Sequence, residues 1–270
     1  MIRDAAILTD VTACIGCEEC VAACKRTNGL PAAEAPPRPG AAEDGLSADR
    51  WISVVRRPGN QFVRKQCRHC LHPACVSVCP VGALRKTPEG AVVYDQALCM
   101  GCRYCMMACP YGIPRYEWSA VAPTVRKCVL CYPWLTSGKL AAPACVTACP
   151  TKAAIFGSRA ETLSEARRRL AAEPQKYLQR IWGERQVGGT SVLYVSAISL
   201  DFLGWQDSRY LTDAPLPEKT WAALKPVPFE FVGMGALMAG IYWIIERRRR
   251  LAGNEGAAPG DRGGQTPHGQ

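Results

Sequence analysis

Cys99-Met100-Gly101-Cys102-Arg103-Tyr104-Cys105-Met106-Met107-Ala108-Cys109-Pro110 is the stretch on which the reading of this chain turns. Three cysteines stand three residues apart, a fourth follows after three more residues, and a proline closes the run. Working outward, the same run occurs at Cys14, Cys17, Cys20 and Cys24, where Lys25 replaces the proline. A second quartet is Cys67, Cys70, Cys75 and Cys79-Pro80; a fourth is Cys128, Cys131, Cys145 and Cys149-Pro150. These are all 16 cysteines of the 270 residues, about 6% of the chain and an excess that calls for chemistry.

The quartets repeat. Asp10-x3-Cys14-x-Gly16-Cys17 recurs 85 residues later as Asp95-x3-Cys99-x-Gly101-Cys102, and short apolar strands, Ala6-Ile7-Leu8 and Val92-Val93-Tyr94, precede the copies. An old duplication of a two-centre unit is the reading. Apolar residues at 48% rule out disorder or a collagen-like chain, and a single long apolar run excludes a polytopic membrane protein. Met1-Ile2-Arg3-Asp4 leads straight into an apolar stretch ending at Asp10, so no signal peptide is read there.

An iron–sulfur cubane needs four thiolates, one at each iron. A Cys-x2-Cys-x2-Cys loop wraps three corners; in the two-cluster ferredoxin pattern the fourth Cys of the run serves the other cluster, and Pro follows it. That proline turns the chain away. Gly16 and Gly101 allow backbone N–H groups to approach sulfur closely. Structural zinc takes two separated Cys-x2-Cys pairs, which only the fourth quartet resembles. Disulfides fit poorly with cysteines at i, i+3 and i+6, and the Cys-x-x-Cys-His of haem attachment is absent. His69 and His72 raise the question of Rieske-type ligation; beside a full set of cysteines they read as solvent-facing or as hydrogen-bond donors to a cluster.

Thirty-three Lys and Arg against 23 Asp and Glu give a net charge of +10. Four thiolate-ligated clusters at about −2 each would bring the loaded protein to about +2, so the surplus reads as internal compensation and not as a nucleic-acid surface. Arg64, Lys65, Arg68, Arg103, Arg126, Lys127 and Lys152 lie within a few residues of a cysteine. Lys25, beside the quartet that lacks its proline, is expected to favour the reduced state of a nearby cluster and raise its potential.

Elsewhere, strands at Ala83–Arg85 and Ala91–Tyr94 flank the turn Pro88-Glu89-Gly90, and Trp51–Val55 reads as another strand. Residues 31–50 form a loop or insertion. Thr162–Ala172 has helical periodicity with Leu163, Ala166 and Leu170 on one face and Arg167-Arg168-Arg169 solvated. Phe231–Ile245 carries no charge; extended back to Val227 it gives 19 residues, roughly 28 Å of helix, enough to span a bilayer. Tyr242-Trp243 fits an interfacial belt, and Gly235/Ala239 and Ala236/Gly240 give small-residue spacing for another membrane helix. Arg247–Arg250 places the C-terminus in the cytoplasm by the positive-inside rule, leaving the cysteine region in the periplasm. The last twenty residues read as a disordered tail.

Gln66-Cys67-Arg68-His69-Cys70-Leu71-His72-Pro73-Ala74-Cys75-Val76-Ser77-Val78-Cys79-Pro80 resembles the four-cluster ferredoxin subunits of membrane-bound, periplasm-facing oxidoreductases. That family includes the β subunit of formate dehydrogenase and the iron–sulfur subunit of [NiFe]-hydrogenase 2. Gly101–Met106, Pro114–Trp118, and Cys149-Pro150 through Ile155–Arg159 are most similar to the hydrogenase branch, and Gly188–Tyr194 resembles a further element of the family. That subunit normally has a twin-arginine leader; this chain begins bare, which implies export of the folded, cofactor-loaded domain by a partner.

The resemblance implies an α+β fold: duplicated two-cluster ferredoxin-like lobes of short strands and helices, with one C-terminal transmembrane helix. It implies a four-cluster domain over 1–172, with nested lobes (outer 1–30 with 115–160, inner 60–114). An extension over 173–226 would pack on partners, followed by a transmembrane helix over 227–246 and a cytoplasmic disordered tail over 247–270. The implied ligand sets for four [4Fe-4S] clusters are Cys14, Cys17, Cys20 and Cys149; Cys24, Cys128, Cys131 and Cys145; Cys67, Cys70, Cys75 and Cys109; and Cys79, Cys99, Cys102 and Cys105. No nucleophile–base pair, phosphate loop or flavin fingerprint stands out, so the chain reads as a non-catalytic electron relay in the inner membrane. Its expected partners are a catalytic subunit, foremost [NiFe]-hydrogenase, and a quinone-reactive integral membrane subunit; formate dehydrogenase or another molybdopterin oxidoreductase is the alternative. A zinc-rich nucleic-acid module fails to explain the membrane segment, and an independent ferredoxin-type enzyme lacks a substrate pocket.

Overall fold

A computed structural model of the chain describes residues 2–32, 44–118, 120–121, 123–200 and 212–255. The elements begin with β1 (Ala5–Asp10), α1 (Glu19–Asn28), β2 (Ser53–Arg57), β3 (Gln61–Lys65), α2 (Ala74–Ser77), β4 (Leu84–Lys86) and β5 (Val92–Tyr94). They continue with α3 (Tyr104–Ala108), β6 (Arg115–Tyr116), β7 (Val125–Arg126), α4 (Tyr132–Thr136), α5 (Ala144–Thr147), β8 (Ala154–Ser158) and α6 (Arg159–Ala172). The last are β9 (Val192–Val195), α7 (Leu216–Leu224) and α8 (Val227–Glu255). The chain divides into two units, residues 1–219 and 220–270.

In the first unit β1 is buried along its whole length. It lies between β8, antiparallel with Ala5 opposite Ser158, and β9, parallel with Ile7 opposite Val192. Strand alternation sends adjacent side chains to opposite faces. Ile7 therefore joins the cluster of Cys24, Cys128 and Cys145, while Leu8 packs with Leu163, Ala166 and Leu170 of α6. The hairpins β2–β3, β4–β5 and β6–β7 complete the mixed α/β, ferredoxin-type architecture.

The expected β4–β5 hairpin forms about its turn, each strand starting one residue later than the sequence suggested. The strand expected from Trp51 starts at Ser53, where pairing with Lys65 begins. Of the loop expected over 31–50, residues 33–43 lie outside the described residues; beyond them Ser47 and Arg50 make an isolated bridge. Helix α6 starts at Arg159, ahead of the expected Thr162, because Ser158 and Glu161 form a capping box that satisfies its free N–H groups. Arg167 and Arg168 of the expected solvated arginine face are exposed, but Arg169 reaches back to buried Asp10, Nη1 to Oδ2 3.0 Å. Within residues 173–226, expected as an extension packing on partners, Val192–Val195 form β9 of the central sheet.

In the second unit α8 runs through Glu255. The tail expected over 247–270 is thus helical over its first nine residues, and 256–270 lie outside the described residues. Arginine and leucine are good helix formers, and Arg250 pairs with Glu246 one turn earlier at 3.3 Å. The segment Leu216–Ala252 is long and apolar enough to cross a membrane, and its apolar window has no buried residues. Phe229, Phe231 and Val232 are more than 70% exposed, which water does not favour for so continuous an apolar surface.

Candidate iron–sulfur centres

The local backbone of the quartets explains how short spacings bring sulfurs to one point. Gly16 and Gly101 have φ of 73° and 72°, and two residues on Glu18 and Arg103 are also left-handed, at 58° and 65°, where each N-caps the helix carrying the third cysteine. The equivalent four-residue helices α2 and α5 each start after a proline, Pro73 and Pro143, and carry Cys75 and Cys145. Helix α1 packs on α5, and α3 on α2. Sequence-distant cysteines meet by these contacts.

Cys24, Cys128, Cys131 and Cys145 line one cavity, with Ile7, Ile52 and Leu130 in its wall. Cys79, Cys99, Cys102 and Cys105 line another, beside Tyr94 and Arg103. Cys14, Cys17, Cys20 and Cys149 line a third, beside Thr9 and Arg64. Burial pushes the Cys70 thiol well up, and the nearby sulfurs of Cys109, Cys67 and Cys75 push it further, so the last four also stand together.

All sixteen cysteines are unbridged. Among the described residues no three metal-binding side chains converge closely enough to hold a single ion. Four sulfurs around one cavity are the donor set that a [4Fe-4S] cluster would need, one for each iron.

Electrostatics and hydrogen bonding point the same way. Burial pushes the thiols of Cys20, Cys105 and Cys131 to about 11, and those of Cys24, Cys75 and Cys128 higher. A thiolate buried there needs compensating positive charge, which a bound metal supplies. Donors are already aimed at the sulfurs. Gly101 N–H reaches Cys99 Sγ at 3.4 Å, Leu130 N–H reaches Cys128 Sγ at 3.4 Å, and Asn28 Nδ2 reaches Cys24 Sγ at 3.6 Å. At Cys99 burial raises the thiol, but hydrogen bonds from Tyr94 and from the Val125 and Gly101 backbone outweigh it.

The two histidines separate. His72 is exposed, whereas His69 is fully buried. His69 Nδ1 accepts the Val92 N–H at 2.9 Å, which puts its proton on Nε2, an atom buried without a partner. A buried N–H with no acceptor, in the residue just before Cys70, suits a nearby anion. Of the basic residues that the sequence reads as internal compensation, Arg64, Lys65, Arg68 and Lys127 are buried. Their closeness to cysteines was the available signal.

A family model described as "4Fe-4S dicluster domain" matches residues 59–159. A protein of Nitratidesulfovibrio vulgaris is 38% identical over 266 residues, 93% of this chain and 69% of that one. Hydrogenase-2 operon protein HybA of Escherichia coli O157:H7 is 36% identical over 235 residues, 73% of this chain and 71% of its own. The iron-sulfur subunit of nitrate-inducible formate dehydrogenase from Escherichia coli K12 is 35% identical over 204 residues, 71% of this chain and 68% of its own. The chain belongs to this family of ferredoxin-type iron–sulfur subunits.

Proposed function

We propose that the chain is an electron-transfer subunit holding four [4Fe-4S] clusters in the four cysteine sets named above. It would pass electrons between a catalytic subunit and a quinone-reactive membrane subunit. The observation that carries this is the meeting of Cys24, from one end of the cysteine region, with Cys128, Cys131 and Cys145 around one cavity. The clusters would supply one-electron carriers. The chain's own residues would hold the sulfurs as thiolates, exclude water and aim N–H donors at them, which tunes potential. The matching left-handed positions around Gly16 and Gly101 support two lobes related by duplication.

[NiFe]-hydrogenase is the first candidate for the catalytic partner, supported by the likeness to HybA; formate dehydrogenase is the alternative, supported by the likeness to its iron-sulfur subunit. Arg247–Arg250 after the apolar part of α8 supports one inner-membrane crossing with the cluster domain periplasmic and the C-terminus cytoplasmic. The test is anaerobic purification with metal analysis. About sixteen irons per chain and negligible zinc are expected; a folded, colourless protein free of iron would refute the reading. The large subunit that co-purifies decides between hydrogenase and formate dehydrogenase.

A further inference from the structure

Arg64 stands on β3 with its side chain in the wall of the cavity lined by Cys14, Cys17, Cys20 and Cys149. It is 3% exposed. Nη2 donates to Thr9 Oγ1 at 2.9 Å and Nε is buried without a partner. Among the described residues no carboxylate pairs with it.

The buried Lys65 and Lys127 and the half-buried Lys86 differ. Lys65, next in sequence, pairs with Asp44 at 2.7 Å. Lys86 Nζ donates to the carbonyl oxygens of His69 and Gly90, and Lys127 Nζ to those of Val92 and Cys128. A guanidinium removed from water without a counter-ion is strongly unfavourable, so the fold needs an anion beside Arg64. The candidates are the sulfurs of Cys14, Cys17, Cys20 and Cys149, which line the same cavity. Burial raises the thiols of Cys14 and Cys20, and the positive charge of Arg64 pulls both down. For the inner sets the opposing charges on Cys70 and Cys75 come from Lys86 and Lys127.

We propose that Arg64 is the fixed counter-charge of the outer cluster held by Cys14, Cys17, Cys20 and Cys149, and that it raises the reduction potential of that cluster. The inference rests on the four-cluster reading. One-electron reduction takes a thiolate-ligated cubane from about −2 to about −3. A permanent positive charge in a poorly screened interior favours the more negative state. The guanidinium stays protonated, so the effect needs no proton uptake.

The test is a redox titration of the full chain, purified anaerobically with its clusters and followed by low-temperature electron paramagnetic resonance. Signals are assigned through Cys20→Ser for that cluster, Cys145→Ser for the other outer one and Cys102→Ser for an inner one. Arg64→Gln is expected to lower the midpoint of the Cys20 cluster by at least 59 mV, a tenfold change for a one-electron couple, and to leave the inner signals in place. Arg64→Lys should restore most of the shift, and Arg168→Gln, on the exposed face of α6, should cause none. Full iron content with an unchanged midpoint of the Cys20 cluster in Arg64→Gln overturns the inference and leaves the four-cluster reading standing; absence of iron from the wild type overturns the reading itself. An equal shift of all four signals, or a lysine variant behaving like the glutamine one, also overturns the inference. If Arg64→Gln assembles no clusters, Arg64→Lys decides: clusters at the wild-type midpoint support the proposal, and any other result overturns it.

Discussion

Gly16 and Gly101, 85 residues apart, hold the same left-handed backbone, φ 73° and 72°, and each sits one residue before the second cysteine of its run. Their surroundings differ. A Cβ on Gly16 would meet the Phe62 ring at 2.4 Å, while one on Gly101 would meet the Pro123 carbonyl oxygen at 3.0 Å and the Tyr116 hydroxyl at 3.2 Å.

Gly16→Ala is therefore expected to cost about 1–2 kcal/mol for the dihedral alone, plus the ring clash. Phe62→Ala in the same chain should remove the clash and leave only the dihedral cost. Anaerobic denaturant unfolding of the two single variants and the double variant measures this. An additive double variant would show that the ring moves aside freely.

Cys14 and Cys149 line one cavity, whereas Cys24 lines its neighbour. Cys14→Ser and Cys149→Ser are expected to alter the same paramagnetic signal, and Cys24→Ser a different one shared with Cys128→Ser. If Cys14→Ser and Cys24→Ser, within one sequence run, altered one signal together, the nested ligand sets would be wrong.

Asp44 pairs with Lys65 at 2.7 Å and with Arg115. Burial pushes its carboxyl up, but hydrogen bonds from the two cations outweigh that and hold it below 3.8. Asp44→Asn leaves buried Lys65 without its counter-charge, at a cost of roughly 3 kcal/mol. A depressed carboxyl contributes stability in full above its unfolded value and loses it as pH falls through its folded value. The difference between wild type and variant should thus stay constant from pH 5 to 8 in urea unfolding. Shrinkage across that window would mean that the carboxylate is not held ionised.

Helix α8 carries its apolar surface exposed, followed within the helix by the arginine run Arg247–Arg250. Ending the chain at Lys225 should release it from the membrane fraction. In spheroplasts of the full-length strain, added protease should digest the cysteine region; protection until lysis would reverse the proposed orientation.

What the sequence made legible follows from how local each constraint is. Quartet spacing encodes the cradle directly, because a loop with cysteines three residues apart can offer three sulfurs to one group. The β4–β5 hairpin carried its turn residues, and α6 its apolar periodicity. At the end of strand β3 the charge count reads Arg64 and Lys65 as internal, and both are buried, whereas the burial of Gln66 just beyond the strand had no signal, since glutamine is mostly exposed. The parallel pairing of β9 with β1 is fixed by packing across 185 residues, as between Ile7 and Val192, and no local pattern announces it. His69 gave its identity but not its orientation, which the Val92 N–H decides.

The placement of β1 between β8 and β9 orders events during synthesis. The first strand has to wait for partners made about 150 and 185 residues later, roughly ten to forty seconds at ribosomal speeds of 5–20 residues per second. Through that interval the nascent amino-terminal stretch has no sheet to join, while the segment from Cys67 to Cys109 is already complete. Maturation thus runs from the middle of the chain outward, and the earliest-made sulfurs are among the last to be enclosed.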